Sequence, residues 1–146
     1  MYDRIKDFDG VIIETTGLAA PAPVAQTFFA DKRVSNNYNL DGIITVVDAK
    51  HIIHLVEEDK REDVEYEAVE QLAFADRIML NKIDLVSDDQ LKEVEVAIKS
   101  INRFAPIFHT QNSNIDPKEL NNIGAIDLEK THEMDHEFLD TEAEHE

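Results

Sequence analysis

Arg77-Ile78-Met79-Leu80-Asn81-Lys82-Ile83-Asp84 is an apolar run that stops abruptly in polar residues. Ile78 to Leu80 read as a short buried strand, and three other Val- and Ile-rich runs read the same way: Val11 to Ile13, Ile43 to Val47, and Pro106 to Phe108. None of the four alternates apolar with polar, so each strand has both faces covered. Helical segments lie between them. The expected fold class is therefore α/β, a mostly parallel sheet with helices on both faces.

The connections support that rhythm. The first starts after Gly17, carries Pro21 and Pro23 in a loop or first helical turn, runs through Val24 to Phe29 and ends near Ser35 to Asn37. The second, His51 to Ala75, predicts two helices broken around Asp59 to Glu62, with Val64, Ala68, Leu72 and Ala75 as the inward stripe of the second. The third predicts a helix from about Asp88 to Arg103, with Leu91, Val94, Ile98 and Ile101 at helical spacing and Ser87 or Asp88 as its cap.

Ligands of open α/β sheets collect where strands end, so the residues just beyond each run carry the chemistry. After the third run stand Asn81, Lys82 and Asp84. A carboxylate at Asp84 can accept hydrogen bonds from the ring N–H and the exocyclic amine of guanine, a pair adenine lacks in that geometry. Lys82 can lay its methylene stem along the base, and Asn81 can tie the loop together. The plain alternative is a surface turn that happens to carry these letters. After the first run stand Glu14, Thr15, Thr16 and Gly17. A strand-end acid followed by glycine suits a Mg²⁺ shell and a backbone N–H close to a terminal phosphate, although an acid or threonine capping the next helix reads equally well. Asp48, closing the second run, either lines the same crevice or caps the helix that begins near His51.

Composition narrows the partners. The 146 residues carry a formal charge of −18, which disfavours nucleic acid and anionic membrane, since phosphate binders need clustered Lys and Arg. With no cysteine there are no disulfides, thiolate metal sites or cysteine nucleophiles, consistent with a reducing compartment. The start, Met1-Tyr2-Asp3-Arg4, has no apolar core of signal-peptide type, and no segment reaches the roughly 20 apolar residues of a membrane span. A cytoplasmic location is expected.

The stretches Asp9 to Ala19, Leu40 to Ala49, Gln71 to Leu85, Ser100 to Asn102 and Ile115-Asp116 together resemble, in order and spacing, the CobW-like family of P-loop GTPases, which includes zinc-regulated activators of metalloproteins. The resemblance implies GTP or GDP as ligand, Mg²⁺ as its companion, and zinc as cargo delivered to a client metalloenzyme. It implies that Glu14, Thr15, Thr16 and Gly17 sense magnesium and the γ-phosphate, with Glu14 at the metal. Asn81, Lys82 and Asp84 would select guanine, and Thr110 to Ser113 would form the last loop at the base.

Members of that family also carry a strand with a glycine-rich loop ending in Gly-Lys-Ser/Thr, then a Cys-x-Cys-Cys motif. Here the four glycines are each followed by a residue other than lysine, and cysteine is absent. The expectation is a partial P-loop GTPase fold without the first strand and phosphate loop, which by itself neither binds GTP stably nor hydrolyses it. Loss of a central strand should leave Val11 to Ile13 and Ile43 to Val47 with open edges, available for association with another copy or a partner. Residues 1–126 are expected to form the partial domain and residues 127–146 an acidic, disordered, His-containing tail. Within the tail, His132-Glu133-Met134-Asp135-His136 matches the spacing of zinc-binding helices. Without an apolar face around it, the reading is a solvated linker or loose metal capture by His132, His136 and His145, and a protease is excluded. His51 and His54 read as ordinary helix surface.

Overall fold

Strand β2 (Arg77–Asn81) lies in the middle of a three-stranded sheet, and its residues explain why: Ile78, Met79 and Leu80 in succession are all buried. In the computed structural model, which describes residues 8–17, 19–52 and 64–125, β1 (Ile44–Asp48) flanks β2 on one side and β3 (Ile107–Thr110) on the other. Both pairings are parallel, with Asp48 beside Asn81 and Asn81 beside Thr110. The polar residues that end the three strands therefore fall in one row.

Helix α3 (Val64–Ala73) and helix α4 (Asp88–Ile101) pack against the sheet and each other through Leu72, Val94 and Ile98, which meet Val47, Ile78 and Leu80. Ala49 and Ile52, from the helical residues 49–52, complete this core with Ala75 and Ala105. Helix α4 starts at a capping box: the Ser87 hydroxyl accepts from the Gln90 N–H, and the Gln90 side chain accepts from the Ser87 N–H. Its predicted stripe is half right at the ends, since Val94 and Ile98 are buried whereas Ile101 stays on the surface.

Asn102 joins the two helices. Buried at the end of α4, it donates to the carbonyls of Leu72 and Ala75 and accepts from the N–H groups of Phe104 and Ala105. Five such groups would otherwise compete for water in a dry corner, including the side-chain amide itself. A second latch ties the start of β1 to the far end of the described chain, where Asp41 accepts from Gly124 N–H and its carbonyl accepts from Ala125.

The amino-terminal part differs. Helix α1 (Pro21–Ala30) opens with proline, whose fixed φ suits a first turn, and helix α2 (Lys32–Ser35) is capped by Asp31 accepting from Arg33 N–H. Neither contains a buried residue. Val11 to Ile13, expected as a strand, pairs with nothing among the described residues, and Ile12 is 97% exposed. The reason is geometric: an apolar run becomes a strand only where a neighbour offers a ladder of N–H and C=O groups. The same shortage shows on β1, an edge strand whose central Val46 is 60% exposed.

The predicted helix break at Asp59 to Glu62 and the tail of residues 127–146 fall outside the described residues. Among those described, no helix is long and apolar enough to cross a membrane.

Candidate functional site

Beyond β2 the chain makes a tight turn. Lys82 adopts the left-handed conformation, with φ 63° and ψ 35°, and a single 3₁₀ turn (Ile83–Leu85) follows, closed by Leu85 N–H donating to the Lys82 carbonyl. A non-glycine residue in this region is strained by its Cβ and persists only where its surroundings hold it. Asn112 and Ser113, in the turn after β3, also have positive φ. Three strained residues thus gather at adjacent strand ends.

Asn81 clamps these two turns together. Its Oδ1 accepts from the Thr110 hydroxyl at 3.0 Å and from Ser113 N–H at 2.9 Å, and its Nδ2 donates to Ser113 Oγ at 3.2 Å. Thr110 is 2% exposed, so it supports the loop from behind, and the surface beside Asn81 is left to Gln111, Asn112 and Ser113.

Asp48 takes the capping role that its sequence position allowed and adds a contact with Lys82. Oδ1 accepts from the N–H groups of Lys50 and His51 and so caps the helical residues that follow, while Oδ2 accepts from Lys82 Nζ at 2.5 Å. Burial acts to raise the Asp48 carboxyl, but the Lys82 ammonium and the His51 and Lys50 amides outweigh it and hold the group below the ordinary carboxylate range. The Asp48–Lys82 contact went unread in the sequence, although two polar residues ending neighbouring parallel strands were the available signal.

Asp84 stands at the surface of the turn, and among the described residues its side chain engages no protein group. It is an acceptor with both oxygens available, flanked by Lys82 on a fixed backbone. Glu14, Thr15, Thr16 and Gly17 are exposed on a separate segment, held where Gln71 of α3 donates to the carbonyls of Gly17 and Ala19, each at 2.9 Å. Gln71 was missed as a holding residue because a lone glutamine on a helix carries no spacing signal. No hydrogen bond or ion pair among the described residues joins this segment to Asn81–Asp84. His132 and His136 lie outside the described residues, and so does His54. His109, on β3, meets Glu95 of α4 at 2.7 Å, while His51 lies 3.9 Å from Asp48.

The fold built on this parallel sheet is shared with known proteins. Residues 1–109 match the model of the family described as CobW/HypB/UreG, nucleotide-binding domain. The chain belongs to the CobW/HypB/UreG family. Within that family it is 36% identical over 129 residues to zinc-regulated GTPase metalloprotein activator 1 of Schizosaccharomyces pombe, an alignment covering 88% of this chain and 30% of that protein. It is 34% identical over 123 residues to the zinc chaperone YjiA of Escherichia coli, covering 84% and 36%. The crystal structure of Zn(II)-bound YjiA GTPase superposes with a TM-score of 0.70 at 32% identity, over 86% of this chain and 38% of that one. The CobW-type α/β fold is thereby established, and the chain spans little more than a third, at most, of each of these relatives.

Proposed function

We propose that this chain provides the guanine-recognising end of a GTP-dependent metallochaperone, a protein whose nucleotide state governs delivery of zinc to a client metalloenzyme. One observation carries the base assignment: an exposed carboxylate, Asp84, that engages no group among the described residues follows a lysine whose ammonium and backbone are both fixed. A carboxylate so placed accepts from the two N–H groups on one edge of guanine, whereas adenine has no matching pair of donors there. The Lys82 stem supplies an apolar surface beside the ring, and the Asn81 clamp holds the turn of residues 111–113 next to Asn81.

For Mg²⁺ the residues present meet a minimal requirement. Magnesium keeps several waters and needs only one or two carboxylates together with phosphate oxygens. Glu14 is exposed at the end of its segment and would be that carboxylate, with Thr15, Thr16 and Gly17 beside it. When bound, the ion neutralises phosphate charge, which matters in a chain of net charge −18. No residue here is assigned to the hydrolytic step.

The test is exchange of the recognising group. Asp84→Asn replaces one acceptor oxygen with an N–H donor, which suits xanthine, where a carbonyl stands in place of the guanine amine. Saturation-transfer NMR with guanosine and xanthosine diphosphates should show preference for guanine in the native chain and for xanthine in the variant. An unchanged preference removes Asp84 from base recognition.

A further inference from the structure

We infer that Asp48 is a positioning residue for the base site: its carboxylate holds the Lys82 ammonium across the ends of β1 and β2, and so fixes the lysine stem as a platform beside Asp84. This rests on the guanine reading of Asn81–Asp84 and adds to it a residue from a different strand.

The two oxygens of Asp48 do separate things. Oδ1 is occupied by the Lys50 and His51 amides at 3.0 and 3.1 Å, which anchors the carboxylate to the start of a helix. Oδ2 is turned the other way, to Lys82 Nζ. Capping needs only one acceptor, and asparagine serves there as well as aspartate, so the second oxygen contributes nothing to the helix that a neutral residue would not. The parallel register sets Asp48 against Asn81, one residue short of Lys82, and the left-handed backbone of Lys82 redirects its side chain at that point. The pair is part exposed, with side chains 27% and 50% accessible. Ion pairs at such positions add little to stability. What the contact does is restrict a long, flexible side chain to one direction, and the beneficiary is whatever lies along its stem. His51 Nδ1 also faces Asp48 Oδ2, farther off at 3.9 Å.

Asp48→Asn isolates this role because it keeps the cap and removes the charge. In the full chain, acylation of Lys82 followed by peptide mass spectrometry should rise about two- to fivefold, the factor that corresponds to losing one exposed ion pair, while Lys92 and Lys118 label as before. In a GDP titration followed by ¹⁵N shifts the same variant should bind about two- to fivefold more weakly. The Lys82→Met chain should respond to Asp48→Asn with no further loss, because the platform is then independent of the carboxylate. Unchanged Lys82 labelling overturns the inference, as does an equal loss of GDP affinity from Asp48→Asn in the Lys82→Met background. A native chain without GDP-dependent shifts refutes the guanine reading instead, and the labelling result still decides whether Asp48 holds Lys82.

Discussion

Residues 8–43 and residues 44–125 are both rich in apolar side chains, yet they have different fates. In the first region no described residue is buried, despite Phe8, Val11 to Ile13, Val24 and Phe29. In the second, Ile78, Leu80, Val94 and Ile98 are almost completely enclosed. The difference lies in partners. Ile78 has a strand on either side and helices above, whereas Ile12 joins no ladder among the described residues. Burial, which stabilises by roughly 25 cal/mol per Å² of apolar surface, is a property of an arrangement, and the same residue types yield it only in the second region.

Three substitutions test this contrast. The largest effect is expected from Ile98→Ala, which empties a fully buried position between α4 and the sheet. It should cost about 3 kcal/mol in urea unfolding, within the range for large-to-small core changes. A loss below about 1 kcal/mol would mean that the core of the second region is loosely packed.

An intermediate effect is expected at the latch between Asp41 and Gly124. The Gly124 N–H, foremost, lowers the Asp41 carboxyl, outweighing its partial burial. A carboxylate whose folded value is depressed adds stability above its unfolded value and loses it as pH falls toward the folded one. Stability of the native chain should therefore decline as pH drops below about 4. Asp41→Asn should begin less stable at pH 7 and decline less over the same interval. Parallel acid profiles for the two chains would show that the latch carries no charge-dependent stability.

The smallest effect is expected from Ile12→Ala. With its side chain almost wholly in solvent, the change should fall within about 0.5 kcal/mol. A loss approaching that of Ile98→Ala would place Ile12 against another surface in solution, as association through the open edge of β1 requires.

The contrast also explains which expectations from sequence held. The runs at Ile43–Val47, Ile78–Leu80 and Pro106–Phe108 became strands displaced by at most a residue or two, because each lies beside another in the sheet. Ser87, one of the two caps expected, caps α4. Val11 to Ile13 carries the same apolar signal without a neighbouring strand among the described residues, and local sequence holds no information about whether a pairing strand is available. At the site, Asn81 as a loop tie was legible because a strand-end asparagine before a turn has few other uses. Of the two readings Asp48 offered, helix capping is realised through Oδ1, while Oδ2 turns to Lys82, because a carboxylate has two oxygens and the sequence cannot say that they part company. The left-handed turn at Asn112 and Ser113 was hidden for a different reason: asparagine and serine tolerate many backbone conformations, so their presence marks a turn without specifying its kind.

Chemical-shift mapping on the ¹⁵N-labelled chain, with GDP and ADP added in parallel, tests the central claim most directly. Shifts are expected at Asn81–Asp84 and Gln111–Ser113 with GDP, much smaller ones there with ADP, and none along α1. Equal responses to the two nucleotides, or a response confined to other residues, would contradict the assignment of the β2 and β3 strand ends to guanine.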